Sequence, residues 1–546
     1  MSEQAVGAQP TDLAAPSKKR TLVIIGLLLG LFFSSLDQTV VGTAMPTIIG
    51  QLGHIELLTW ITTAYLLTST SVVPIAGKLA DIFGRRSLYL IGMIIFIIGS
   101  ALCGLADSMM QLTIYRAIQG IGGGMLMPLA MTIIGDITTG ASRAKFQGMF
   151  MAVFGLSSVL GPQLGGWIVD HWNWSWIFYI NLPFGIIATV FIWFGLEGAF
   201  QKKEVSIDWF GIFTMVISIV SLLLALSLGG KNYAWGSWQI ISLFAGFAVF
   251  LIFFLIAESK AKDPILPLSL FKNKTYSIVN LIGFLMSLGM FGALTFTPLL
   301  MQGVVGMSAT KAASTMTPMM LGMIVTSILG SRLLIKVGLR PMLVAGMGIM
   351  MVAFALFGQL GLDTTQLKAS IEMIVLGLGM GLIMPSLGIA LQEAFPMQMR
   401  GTVMSSNAFF RSIGGTVGIA MLGAVFNHRS IGDIGNKLDP ILSQMGPNSE
   451  KLLDMAHNNP QGLYSSLLNA DFLKQLPKQI SDLFATQVTP ILKDSLLDSL
   501  HSIYGVSIWF CAAGLIVSLF VGKMKISGNN AKPQQEVKPA QTAVQE

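Results

Sequence analysis

YRAIQGIGGGMLMPLAMTIIGD, residues 115–136, is an apolar run broken by one arginine near its start, Arg116, with five glycines and a closing aspartate, Asp136. As a helix rising about 1.5 Å per residue, it is long enough to cross the roughly 30 Å hydrocarbon layer of a bilayer. A charged side chain at that depth costs about 2.5–3.5 kcal/mol on insertion scales, and is kept where it lines a cavity or meets an opposite charge. Arg116 therefore requires a buried acid elsewhere in the chain.

The rest of the chain is of the same kind. Its 546 residues are 53% hydrophobic and 11% charged, with a mean hydropathy of +0.72, whereas soluble domains carry about 25% charged residues. The reading is an all-α integral membrane protein with fourteen spans, at 21–45, 57–77, 87–106, 111–136, 145–168, 175–197, 207–228, 238–258, 276–302, 311–334, 341–360, 367–391, 402–427 and 501–522. An even number of spans puts both termini on one side. Lysines and arginines gather in the loops of that side, Lys78, Arg85, Arg86, Lys202, Lys203, Lys336 and Arg340 among them, while the opposite short loops hold only Lys231, Lys311 and Lys368. The positive-inside rule then predicts a multi-pass protein of the cell membrane with cytoplasmic termini. It also accounts for the net charge of +7 without a continuous basic patch, so nucleic acid is not an expected partner. Cys103 and Cys511 fall inside apolar runs, which predicts packing rather than a disulfide or metal site.

Two polar stretches divide the chain. The expected organisation is a cytoplasmic tail at 1–20, six spans at 21–197, a linker with two extra helices at 198–275, six more spans at 276–522 and a tail at 523–546. Residues 428–500 read as a long outward loop whose end has helical apolar spacing through Leu483, Val488, Ile491, Leu492, Leu496 and Leu500, which predicts an amphipathic helix or hairpin on the outer face. A faint repeat links GKLADIFGRRSLYL (77–90) to GSRLLIKVGLRPML (330–343). Two six-helix bundles plus two extra central helices is a transporter layout, with the substrate path between the bundles.

Charge within the spans is assigned to Asp37, Arg116 and Arg411, with Asp136, Glu197, Glu258 and Glu393 at span ends. Counting about 1.5 Å per residue from the ends of their spans puts Asp37 and Arg116 at nearly the same depth in the outer half, so Asp37 is the predicted partner. Burial favours a neutral acid and an adjacent guanidinium favours the carboxylate, so small changes in hydration switch such a group, as proton coupling requires. A fixed salt bridge between two spans is the plainer alternative. The short loop holding Gly77, Asp81, Gly84, Arg85 and Arg86 reaches the membrane level of Asp136, which predicts an ion-pair latch at the inner face. In GLSSVLGPQLGGW (155–167), Gly155, Gly161, Gly165 and Gly166 allow close helix approach, and Pro162 allows a bend. Gln119, Met125, Phe291 and Arg411 are candidates for the substrate path.

These stretches together resemble the major facilitator superfamily, and within it the fourteen-helix drug:proton antiporters of the EmrB/QacA type. GKLADIFGRR matches the signature loop between spans two and three, YRAIQGIGGG the span-four motif, GLSSVLGPQLGGW the span-five antiporter motif and LDQTVVGTAMP (36–46) the span-one motif. The resemblance implies that Asp37 takes part in proton coupling tuned by Arg116, that Asp81, Arg85 and Asp136 form the cytoplasmic latch, and that the span-five motif limits leak. The family often has asparagine where Gly42 stands and a basic residue where Ile82 stands. Members that export divalent cations tend to carry an acid in span ten, and 311–334 has none.

The resulting expectation is a proton-driven exporter of lipophilic or amphipathic small molecules working by alternating access. It is expected to be monomeric, to have lipids, protons and small substrates as partners, and to lack enzymatic activity, cofactor and metal. No phosphate-cradling G-x-x-x-x-G-K-[ST] occurs, which argues against ATP as the driver. Export of a single metabolite or peptide is the competing transport reading. An intramembrane aspartyl protease needs two facing central carboxylates and has Asp37 alone, and a membrane sensor would need neither a latch nor a coupling site.

Overall fold

The computed structural model describes residues 18–52, 58–138, 140–196, 207–230, 233–307, 309–442 and 484–522. Fourteen long helices follow in order: α1 Lys18–Leu52, α2 Leu58–Phe83, α3 Arg85–Gly104, α4 Met109–Ile137 and α5 Gly140–His171. A single turn, Trp176–Tyr179, leads into α6 Asn181–Gly195, followed by α7 Trp209–Leu228 and α8 Trp238–Lys260. The remainder are α9 Lys274–Leu299, α10 Ala309–Val337, α11 Leu339–Phe357, α12 Gln366–Ala394, α13 Arg400–Leu442 and α14 Thr489–Leu519. Among the described residues there is no strand, and twelve helices are long and apolar enough to cross a membrane.

Local chemistry sets several helix ends. Ser108 accepts a hydrogen bond from Gln111 N at the start of α4 (3.3 Å), and Thr365 does the same for Lys368 N at the start of α12 (3.3 Å). Gly84, between α2 and α3, and Gly338, between α10 and α11, have φ of 87° and 86°. That left-handed conformation disfavours side chains, and its recurrence gives the faint sequence repeat a structural basis.

The packing repeats as well. In the first half α4 packs on α2 and α3, and α1 on α5 and α6; in the second, α12 packs on α10 and α11, and α9 on α13 and α14. The contacts between halves, α2 with α13 and α5 with α10, map onto each other under the same shift of eight helices. The extra helices α7 and α8 are central in the chain but peripheral in space. They pack on each other, α7 touches α2 and α13, and α8 exposes Trp238, Ile241 and Ile252.

The expected outer loop at 428–500 is corrected at both ends. Helix α13 continues to Leu442 and α14 begins at Thr489, preceded by a wide turn at Phe484–Val488. Ile434 and Leu438 are buried, as are Val488, Leu492, Leu496 and Leu500. The apolar stripe read as an outer amphipathic helix or hairpin therefore belongs largely to an extension of the last span, which forms a helical hairpin with the end of α13. Residues 443–483 lie outside the described ones.

Candidate functional site

A buried polar cluster crosses the first half. Asp37 of α1 accepts hydrogen bonds from Arg116 Nη1 at 2.6 Å, Gln119 Nε2 at 2.9 Å and Asn181 Nδ2 at 3.0 Å. Arg116 and Gln119 stand three residues apart on one face of α4, and Arg116 Nη1 also donates to Gln119 Oε1 at 2.7 Å. Ser100 Oγ of α3 accepts from Gln119 Nε2 at 2.7 Å and from Asn181 Nδ2 at 3.3 Å. The Arg116 guanidinium lies 4.4 Å from the Tyr65 ring centre, a cation–π contact. Asp37 and Arg116 are each 1% exposed, so their attraction acts in a medium far less screening than water.

The glycine run of α4 makes this cluster possible. A methyl on Gly124 would overlap the Ser69 carbonyl of α2, and one on Gly122 would overlap the Phe96 backbone of α3. Small residues on both faces bring the neighbouring backbones close enough for their side chains to meet around Arg116. Asn181, Ser100 and Tyr65 were not anticipated as members. Polar residues inside otherwise apolar spans were the available signal. Gln119, expected on a substrate path, is bonded within this cluster. Met125 is buried against Gly92 in the core of the first half, and Phe291 is 38% exposed with its ring against Gly415.

At the end of the bundle where α1 begins, here called the basic end, a second cluster joins the two halves. Asp81 Oδ1 accepts from Gly401 N at 3.0 Å, and Oδ2 accepts from Thr402 N at 2.8 Å and Thr402 Oγ1 at 3.0 Å. Gly401 and Thr402 open α13, so Asp81 satisfies the orphan donors of a helix N-terminus, where the macrodipole favours negative charge. Arg85 lies 3.3 Å from Asp81, forms an ion pair with Asp136 and donates to the Met397 carbonyl at 2.5 Å. Arg400 Nη1 reaches Asp136 Oδ1 at 3.6 Å. Gly77 and Gly401 are in contact here, and a methyl on Gly77 would overlap Ser405. Arg86 turns away and donates to the Trp193 carbonyl at 2.7 Å, with its guanidinium over the Trp193 ring. The expected latch lay within the first half. Its partners on α13 were missed because nothing in a linear reading pairs residue 81 with residue 402.

In the span-five segment, α5 runs without interruption through Pro162. Gly161 faces Thr39 of α1 and Gly155 faces Met320 of α10, Gly165 is buried, and Gly166 faces open space. The segment thus lies at the contact between halves.

A cavity of about 20 Å³ lies where α4, α12 and α13 meet, room for about one water. Met127, Met131, Met384 and Met404 line it with Pro128 and Pro385, and its polar walls are Asn407 and Arg411. Of the path candidates, Arg411 alone reaches it. Glu372 of α12, 4% exposed, is a further buried charge, outside those assigned to the spans from the sequence.

The family model for the Major Facilitator Superfamily matches residues 27–208 and 208–419. The Multidrug transporter protein MdtP of Bacillus subtilis (strain 168) is 54% identical over 531 residues, covering 96% of this chain and 97% of that protein. Multidrug resistance protein 3 of the same organism is 38% identical over 475 residues, covering 87% and 92%. Efflux pump FUS6 of Gibberella fujikuroi is 31% identical over 536 residues, covering 96% and 93%. Among solved structures, the proton:xylose symporter XylE matches with a TM-score of 0.54 at 14% identity, covering 92% of this chain and 95% of that one, a likeness of fold alone.

Proposed function

The chain belongs to the major facilitator superfamily, and on that premise we propose that it is a proton-driven multidrug exporter of lipophilic or amphipathic small molecules. The relatives named as multidrug transporters match over nearly their whole length, which favours drug export as the activity. The observation that carries the proton-coupled part is the ligation of Asp37. Its donors come from α4 and α6, so sliding α1 against either helix changes how well the carboxylate is satisfied and hence how readily it takes a proton. Protonation in turn deprives Arg116 of its counter-charge and favours rearrangement of the cluster.

In this reading 21–197 and 276–522 are the two moving bundles, 198–275 carries the peripheral helices, and the basic end faces the cytoplasm. The Asp81–Arg85–Asp136 cluster closes that end by tying α2 and α4 to α13. Opening it breaks charge-assisted bonds that the outward half-cycle restores. In this closed form the methionine-lined cavity between the halves holds about one water, and separation of the halves enlarges it into the substrate site, where polarizable, unbranched side chains accommodate varied shapes.

The test is ethidium uptake into energised everted vesicles, comparing wild type with Asp37→Asn at matched expression. Uptake is expected to require the proton gradient and to fall at least tenfold in the variant. Equal uptake in both, indifferent to an uncoupler, would overturn the reading.

A further inference from the structure

We propose that Arg411 is the contact for an acidic group in the central cavity, so that the preferred substrates are amphipathic anions, lipophilic carboxylates or sulfonates. This rests on the exporter reading above and narrows its substrate class.

Arg411 and Asn407 stand one turn apart on α13 and both lean on Gly283 of α9. A methyl there would lie 3.1 Å from Arg411 Cγ and 3.5 Å from Asn407 Nδ2. The missing side chain makes room for a guanidinium in the middle of the bundle. Both residues line the cavity between the halves, and no acid lines it among the described residues. Three other arginines of the bundle have carboxylate partners: Arg116 has Asp37, while Arg85 and Arg400 share Asp136. Arg411 forms no ion pair among the described residues, and its buried Nε has no acceptor.

A second donor is in the same position. Asn280 of α9 accepts from Asn407 Nδ2 at 3.0 Å, and its own buried Nδ2 has no acceptor. Arg411 and Asn407 on the cavity wall, with Asn280 behind Asn407, therefore offer donors and positive charge in excess of acceptors. A buried donor left unmet carries its full desolvation cost, and a guanidinium at membrane depth carries more. A ligand carboxylate or sulfonate relieves both, because charge-assisted and bidentate bonds to guanidinium are among the strongest available. The apolar body of such a ligand meets the methionines on α4, α12 and α13.

The test uses two dyes on the same xanthene frame, anionic fluorescein and cationic rhodamine 123, in energised everted vesicles. The readout is the ratio of their kcat/KM values. Wild type is expected to transport fluorescein. Arg411→Gln is expected to lower the fluorescein-to-rhodamine ratio at least tenfold, and Arg411→Lys, which keeps the charge but not the bidentate fork, to lower it less than Arg411→Gln does. An unchanged ratio in Arg411→Gln overturns the proposal, even if both rates fall together. Wild-type transport of rhodamine without fluorescein overturns it while leaving the exporter reading intact, and transport of neither dye overturns both.

Discussion

At the scale of the residue, the decisive fact is that Asp37 and Arg116 are both buried and hydrogen-bonded through Gln119 and Asn181. Breaking a buried pair by removing one partner costs about 3–5 kcal/mol, since it strands the other charge, whereas removing both can be nearly neutral. Arg116→Gln is therefore expected to melt at a clearly lower temperature in detergent than wild type, and Asp37→Asn/Arg116→Gln to recover most of the loss. A double variant less stable than the single one would show that the two residues act separately. That these residues meet was legible from depth counting along two apolar runs. The presence of Ser100, Asn181 and Tyr65 was not, because these side chains carry no charge to call for a partner. Glu372 was overlooked for a different reason. It lies in the second turn of α12, close enough to the polar start of the span to pass for part of its flank.

At the scale of the element, α13 and α14 extend beyond the expected spans and pair as an antiparallel hairpin. Ser430 Oγ donates to Ser499 Oγ at 3.0 Å inside it, and Lys437 Nζ reaches Asp494 at 2.7 Å and Asp498 at 3.5 Å on its exposed side. The hydrogen bond to Asp494 and the nearby carboxylates raise the Lys437 pKa above the free value of 10.5. The stabilising charge is thus fully present below that value and lost as pH climbs through the raised one. Exposed pairs of this kind contribute about 0–1 kcal/mol, while truncating a fully buried leucine costs about 2–5 kcal/mol. Leu496, 0% exposed, is the better handle. Leu496→Ala is expected to lower the thermal midpoint in detergent well below that of Lys437→Ala, which should stay near wild type. A larger loss from Lys437→Ala would mean that the ion pairs, not the apolar seam, hold the hairpin. The stripe Val488–Leu492–Leu496–Leu500 was visible in the sequence. Whether it lay on a membrane surface or on another helix was not, since both bury the same face.

At the scale of the whole molecule, two pseudo-symmetric halves meet along α2–α13 and α5–α10, and Asp81 on the N-terminus of α13 fastens them at the basic end. Hydrogen bonds to a charged group contribute about 1.5–3 kcal/mol each, and about 1.4 kcal/mol shifts a two-state ratio tenfold. Asp81→Asn keeps one acceptor oxygen, loses the charge and is expected to shift the population toward separated ends at least tenfold. Spin labels at the exposed positions Phe83 and Met397 report it as a longer component in the distance distribution measured by electron–electron resonance. An unchanged distribution would mean that the seam is held by packing at Gly77 and Gly401 rather than by charge.

The sequence by itself determined the solvent, the succession of long helices and the meeting of Asp37 with Arg116. Each follows from quantities additive along the chain: apolar length and rise per residue. Tertiary structure alone decided that the Asp81 cluster bridges the halves through Gly401 and Thr402, that Arg86 stands apart from it, and that Arg411 faces a cavity with no acid in its described lining. Those depend on which helix faces meet across more than a hundred residues of chain. Helical periodicity sets the faces but not their partners.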